Sequence, residues 1–483
     1  MQQSISRLIT RRARQHPAQV VVTDADTGQT LTADALDRAS NRLARDVLDR
    51  GVGTDDLVVV ALPTSPQFVV TCAAIWKAGA TPLPMDPDLA QGERAALERL
   101  ARPRLVVGTP PADPTVPWLP DGHRPDPRTP DTPPADAWAS SWKAPASSGS
   151  TGTPKIVRST TPARFDPDTP VAPFLPRAVR QLVTGPLWHS ASFTYAFRGL
   201  MTDHCLVLTR RNDEATVAHL LGAHRIGWTL LSPAMIHRLM RLPASHRDRV
   251  DTAALRSVLH LGARCPVDDK RALISWLGPD RVVEVYAGTE SNGLTMIDGA
   301  DWLHHPGSVG RPIGGTELRI LRDDGRTAEP GETGQIWMRR PGPARYTYLG
   351  RTPHRDDDGW DSLGDVGFVD DDGYLTVRDR ADDAIDCGGD PVYPADLEQR
   401  LSDHDAVRDV VVCGYRDADT DRVAVVLDIA DHEVDEGKLH DFVRDRLPGH
   451  CVPGPIALRR TPLRNAAGKV RRAAVLSDTI PMM

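Results

Sequence analysis

The sequence predicts a two-part α/β protein. A large N-terminal region of doubly wound sheets carries a small β-rich subdomain, and a small α+β region follows at the C-terminal end. Three observations carry this expectation. Strand-length apolar runs alternate with helix-period segments through residues 5 to 100 and again from Val179 to Val285, the rhythm of parallel sheets covered by helices. Residues 305 to 380 hold short, glycine-punctuated strands. After Asp382 the pattern changes to a compact strand–strand–helix tail. At 483 residues the chain is too long for one core, and the division is placed between residues 1–381 and 382–483.

Taken in order, Leu36, Ala39, Leu43, Val47 and Leu48 recur at roughly helical spacing, with Asp34 positioned to start that helix. Leu57 to Leu62 is an uninterrupted apolar run, as a strand buried on both faces requires, and Pro63, Ser65 and Pro66 turn the chain after it. Phe68 to Trp76 reads as a helix closed by Lys77-Ala78-Gly79. Dense prolines from Pro103 to Pro134 predict mostly irregular connection. Val282 to Tyr286 reads as a strand ending at a functional turn, and Gly334 to Met338 as one of the short strands of the β-rich part. In the tail, Val407 to Cys413 and Val423 to Ile429 predict strands and Glu436 to Leu447 a helix.

Hydrophobic residues make up 40% and charged residues 25% of the chain, and the net charge of −7 comes with both signs interspersed. That balance argues against nucleic acid or an anionic membrane surface as a partner. No apolar run approaches the length of a membrane span, and Met1-Gln2-Gln3-Ser4 lacks a signal peptide's apolar core. The six scattered cysteines include no CxxC pair, which speaks against a metal cluster and fits a reducing cytoplasm.

The most informative segment is Ser147-Ser148-Gly149-Ser150-Thr151-Gly152-Thr153-Pro154-Lys155. Glycines let backbone N–H groups turn toward an anion, hydroxyls add donors, and the lysine neutralises charge, so the segment suits polyphosphate. The spacing is not that of a Walker loop. A flexible linker is the alternative, because a proline-rich stretch precedes it. Arginine dominates the basic residues; the lysines are Lys77, Lys143, Lys155, Lys270, Lys438 and Lys469, so a lysine beside glycine carries extra information.

Further strings follow in a fixed order: Leu31-Thr32, Ser40-Asn41-Arg42, Lys77-Ala78-Gly79-Ala80, Asp86-Pro87, Tyr286-Ala287-Gly288-Thr289-Glu290, Gly364-Asp365, Arg378 to Asp383, and Gly468-Lys469. With the phosphate segment they resemble the adenylate-forming superfamily of acyl-CoA synthetases, luciferases and peptide-synthetase adenylation domains, over nearly the whole chain. The resemblance implies attack of a carboxylate on the α-phosphate of ATP, release of pyrophosphate, and displacement of AMP by a thiol, usually that of coenzyme A. It also implies a small C-terminal domain that rotates between the half-reactions.

By the same resemblance Ser147, Ser148, Gly149, Ser150, Thr151, Gly152 and Lys155 hold the β- and γ-phosphates. Thr289 donates to a phosphate, and Glu290 helps bind Mg²⁺, a hard cation that prefers oxygen ligands. Lys469 bridges the substrate carboxylate and the α-phosphate. Asp365 accepts from the ribose hydroxyls, Arg380 contacts ribose or phosphate, and Tyr286 with Gly262, Ala263 and Arg264 encloses adenine. Asp382 is the hinge, and Gly388 and Gly389 leave room for the pantetheine arm. Trp188, His189 and Phe193, with Tyr195 and Phe197, are expected to line the acid pocket. A histidine at position 189, where amino-acid-activating relatives carry aspartate, points away from a standard α-amino acid. This segment resembles bacterial ligases of bile-acid or other bulky acids.

Two departures stand out: Ala287 replaces the usual glycine and Leu363 the usual threonine. They leave open an enzyme that mainly performs the thioester-forming half. A stand-alone adenylation protein that loads a carrier protein's pantetheine is a further alternative, as is a nucleotide-binding protein without turnover.

Overall fold

The structure, a computed structural model, describes residues 1–483 apart from 148–153, 170–171, 388–390, 418–419, 430–433, 466–467 and 480–483. The largest sheet runs in the order Arg311–Pro312, Leu294–Asp298, Val282–Ala287, Ser257–His260, Trp228–Leu231, Arg180–Val183, Cys205–Leu208, Val20–Asp24 and Thr30–Thr32. From Val282–Ala287 to Val20–Asp24 every pairing is parallel, and antiparallel strands close both edges. A second sheet, Thr81–Pro84, Leu57–Ala61, Leu105–Gly108 and Trp118–Pro120, is parallel throughout. Strand Leu57–Ala61 is buried at every position, which is why it reads as a continuous apolar run.

Helices Ile5–Gln15, Ala33–Asp49, Pro66–Lys77 and Ser190–Met201 share one core with strands of both sheets. Pro66–Lys77 begins at Ser65, whose hydroxyl accepts the Phe68 N–H at 3.2 Å. It ends before Gly79, whose φ of 77° only glycine adopts freely. Lys77 is fully buried, and its ammonium donates to Asp37 Oδ1 and Asn41 Oδ1, both at 2.5 Å. This ion pair ties two helices together and explains why the Ser40-Asn41 and Lys77-Ala78-Gly79 strings occur in one chain. Burial lowers the Lys77 pKa while Asp37 opposes the shift.

Two expectations need correction. Helix Ala33–Asp49 is capped by Thr32, whose hydroxyl accepts the Ala35 N–H at 3.1 Å, and Asp34 lies in the first turn. The proline-dense stretch contributes strands Leu105–Gly108 and Trp118–Pro120 to the second sheet. Val106 and Val107 are buried there, and Pro120 is tolerated because it ends the edge strand of that sheet.

The β-rich part is an antiparallel sheet of Glu317–Leu321, Gly334–Arg339, Asp365–Val369 and Leu375–Arg380. Tyr346–Leu349 leaves that sheet to pair with Lys155–Ser159, which in turn pairs with Ala146–Ser147. Beyond residue 384, strands Val407–Asp417, Thr420–Ile429 and Val452–Arg459 form a mixed sheet. This sheet has its own apolar core with helices Pro394–Leu401 and Glu436–Arg444.

Candidate active site

A cavity of about 1320 Å³ opens where the carboxyl end of Val282–Ala287, the β-rich sheet and the C-terminal residues meet. That end of a parallel sheet is where α/β proteins bind ligands. Tyr286, Gly288, Thr289, Glu290, Asp365, Arg380 and Lys469 all line it.

Strand register builds one end of the cavity. Ser147 and Lys155 are cross-strand partners, so the two ends of the serine–glycine segment stand opposite each other. Ser148, Gly149, Ser150, Thr151 and Gly152 lie outside the described residues, as do Gly388 and Gly389. Lys155 Nζ donates to Glu290 Oε1 at 2.9 Å and to Tyr348 Oη at 3.2 Å, and the Tyr348 hydroxyl donates to the same Glu290 oxygen at 2.6 Å. Burial alone raises the Glu290 pKa, but Lys155 and the Tyr348 hydrogen bond prevail and leave it below the usual carboxylate range. Both of these bonds fall on one oxygen. Among the described residues no group of three metal-ligating side chains could hold a metal. A single buried carboxylate fits Mg²⁺, which takes one or two carboxylates together with phosphates and waters. Thr289 lines the cavity beside it.

On another part of the wall, the Tyr286 hydroxyl donates to Asp365 Oδ2 at 2.6 Å, and Arg380 Nε lies 3.4 Å from Asp365 Oδ1. Burial raises the Asp365 pKa, with Arg380 and Tyr286 opposing. Gly262 and Ala263 are exposed on the cavity wall, and Gly262 has a φ of 94°. Arg264 lines the wall too, but Asp396 of helix Pro394–Leu401 engages its guanidinium, so it also ties the two parts of the chain together. Leu363 packs on Gly288, where a Cβ would stand 2.3 Å from Leu363 Cδ1. Ala287 packs against the core formed by Val283 and Val285.

Lys469 follows Gly468, whose φ is 74°, in a turn closed by Gly468 N–H to Asn465 O at 2.8 Å and Lys469 N–H to Asn465 Oδ1 at 3.0 Å. Its chain is open to the water of the cleft, yet protein surrounds the ammonium on most sides. That desolvation lowers its pKa; Glu290 opposes the shift, and Lys155 and Arg380 add to it. Lys469 therefore lies within electrostatic reach of the groups at both ends of the site. Asp382 is exposed in the short turn Ala381–Asp383, directly after Arg380.

Helix Ser190–Met201 forms the remaining wall. Leu187 N–H donates to Thr64 Oγ1 at 2.9 Å and holds the preceding loop, so Trp188 and His189 face the cavity. His189 Nε2 is buried without a partner among the described residues. Burial, then Lys469 and Lys143, lowers its pKa to about 3, so the imidazole is neutral at neutral pH. Phe193 does not line the cavity. It is fully buried, its ring 6.3 Å from Phe68, 6.0 Å from Trp76 and 4.6 Å from Phe197. Phe197 shares that core position, whereas Tyr195 does reach the cavity. Residues 193 and 197 share one helix face, and Ser190, Thr194 and Arg198 the other.

Tyr348 and Lys143 also line or border the site, and the sequence reading gave neither a role. Tyr348 belongs to no motif, and only its pairing with Val157 brings it to Glu290. Lys143 had a signal, as one of six lysines lying just ahead of the phosphate segment.

Residues 9–348 match the AMP-binding enzyme family. The long-chain-fatty-acid–CoA ligase FadD13 of Mycobacterium tuberculosis is 26% identical, with 99% of each chain covered. A feruloyl-CoA synthase of Amycolatopsis is 29% identical over 96% of this chain and 97% of its own. In fold, the chain resembles the anthranilate–CoA ligase AuaEII in complex with anthranoyl-AMP, with a TM-score of 0.81, 19% identity and coverage of 99% and 97%. The chain belongs to the AMP-binding enzyme family.

Proposed function

We propose that the protein is an ATP-dependent acid–CoA ligase that acts through an acyl-adenylate. One observation carries the reading: Lys155 and Glu290, Asp365 and Arg380, and Lys469 from the C-terminal turn all line a single cavity. In the first step the carboxylate oxygen attacks the α-phosphorus, the bond to the β-phosphate oxygen breaks, and pyrophosphate leaves. Two anions approach each other, so Lys469 and Lys155 offset their repulsion. Asp365 accepts from the ribose hydroxyls, and the bond from Tyr286 to Asp365 fixes the ring that faces adenine. Mg²⁺, held in part by Glu290, supplies further positive charge to the phosphates.

In the second step the thiol sulfur attacks the acyl carbon, the bond to AMP breaks, and the thiol proton passes to solvent. Residues 382–483 turn about Asp382 between the steps, which admits the pantetheine arm to the adenylate. Ala287 and Leu363 both line the cavity, Leu363 against Gly288, so pyrophosphate release bears directly on these two departures. Trp188, Tyr195 and Phe174 suit an acid of some bulk. Six free cysteines and the lack, among the described residues, of any helix able to cross a membrane support a cytoplasmic setting.

The test is incubation with ATP, Mg²⁺ and a panel of carboxylic acids, read by pyrophosphate release and by product mass. CoA and a pantetheinylated carrier protein are offered separately as acceptors. The expected result is acid-dependent pyrophosphate release with an acyl-CoA product. Nucleotide binding without pyrophosphate release from any acid would contradict it.

A further inference from the structure

The wall of the cavity formed by helix Ser190–Met201 holds cations that have no carboxylate at ion-pair distance among the described residues. Lys143 is 5% exposed, and among the described residues its ammonium donates to Ser190 Oγ at 3.2 Å and Thr194 Oγ1 at 2.6 Å. The other buried lysines are each matched by a carboxylate, Lys77 by Asp37 and Lys270 by Glu284. Lys143 has no carboxylate at ion-pair distance: Arg198 faces it, Glu290 attracts it only from farther off, and Lys143 and Arg198 both approach the Trp142 ring, with centroid distances of 5.2 and 5.8 Å. Arg340 and Arg345 lie within electrostatic range of each other, and Arg198 reaches Arg340 as well. Arg340 donates to the Gly314 carbonyl at 2.9 Å, and Arg345 Nε is buried without a partner among the described residues. Among the described residues none of these four cations has a carboxylate within ion-pair distance.

Buried positive charge without a counter-ion is costly, and such a group is retained where a ligand supplies the missing anion. Aromatic surface adjoins these cations: Phe174 and Tyr195 pack edge to face at 5.9 Å, and Trp142 and Trp188 also line the cavity. An organic body suits that surface better than a polyphosphate does, and Lys155 already serves the phosphate end.

We propose that the acid activated here carries a second anionic group, a carboxylate or a sulfonate, remote from the carboxylate that is adenylated, and that Lys143, Arg198, Arg340 and Arg345 hold it. The inference rests on the ligase reading and names the substrate class for that site. A planar guanidinium gripping a carboxylate through two parallel bonds gives both orientation and selectivity. Burial, with Arg198 next, holds the Lys143 pKa down to about 7, and a bound anion restores its full charge.

The test uses matched pairs, benzoate with terephthalate and hexanoate with adipate, and follows pyrophosphate release. The wild-type protein should favour the diacid of a pair by roughly tenfold or more in kcat/KM. Arg198→Gln should cut that ratio about 10- to 100-fold, the usual effect of losing a charged hydrogen bond, with Arg340→Gln as a less buried second variant. Equal use of both members of each pair would overturn the proposal. So would an Arg198→Gln protein with an unchanged acid ratio and a raised KM for ATP, since that assigns the cations to polyphosphate. If no acid releases pyrophosphate, the ligase reading fails by itself. Calorimetric binding of the same acids then decides this one: tighter diacid binding supports it, and no difference overturns it.

Discussion

His189 shows how one residue's surroundings set its chemistry. It precedes the first turn of helix Ser190–Met201 with its Nε2 buried, and its pKa falls to about 3, chiefly through burial. A neutral imidazole suits a site that must already hold Lys469 and Lys143, because a third positive charge would repel both. The lowered pKa fixes the sign of a stability effect. Below the ordinary histidine value of about 6.5 the unfolded chain binds a proton that the folded chain refuses, so stability falls as pH drops from 6.5 toward 3. Between pH 7 and pH 5 the wild-type protein should lose about 1–2 kcal/mol through this group, and His189→Asn should lose correspondingly less. Urea unfolding at the two pH values measures the difference; identical losses in both proteins would contradict the assignment. Tyr286 and Asp365 are also explained at this scale, because the hydroxyl of one is bonded to the carboxylate of the other. Both were legible as motif residues, but their mutual bond was not, since they lie in different sheets.

At the scale of elements, helix Ser190–Met201 divides its work by face. Phe193 and Phe197 enter the core, and Ser190, Thr194 and Arg198 enter the cavity. The sequence made the aromatic density plain but not its direction. The missing signal was the polar residues at four-residue spacing on the same helix, which mark the face turned toward the site. Phe193→Ala should therefore cost roughly 3–5 kcal/mol of stability without altering the choice of acid. Trp188→Ala should instead change acid preference and, because Trp188 is only partly buried against that core, cost less stability than Phe193→Ala. Denaturation curves and a competition between small and bulky acids check the pair, and reversed outcomes would return Phe193 to the pocket. The buried strands were readable because both faces are apolar, as in Leu57–Ala61. The pairing of Tyr346–Leu349 with Lys155–Ser159 was not, since about 190 residues separate partners such as Tyr348 and Val157 and local pattern carries no register.

For the whole molecule, the arrangement matters more than any element. The C-terminal residues reach the rest of the chain at several points. Arg471 Nη2 donates to Glu93 Oε2 at 3.1 Å, Arg241 donates to the Ser402 carbonyl at 2.7 Å, and Arg264 pairs with Asp396. The turn bearing Lys469 sits against Ser232, whose Cβ would lie 3.4 Å from a Cβ added at Gly468. These contacts hold the lysine at the cavity that Glu290, Asp365 and Arg380 also line, the placement that the proposed first half-reaction requires. Motif order made the two-part organisation legible, but the relative placement of the parts was not, because it depends on a few ion pairs between residues far apart in sequence. The central claim is that Lys469 serves adenylation alone, and a split assay of Lys469→Ala tests it most directly. Acyl-adenylate formation from acid and ATP should fall by about 100- to 1,000-fold, as loss of a transition-state donor does, while thioester formation from a supplied acyl-adenylate and CoA continues near the wild-type rate. Equal loss of both half-reactions, or no loss of the first, would contradict the account.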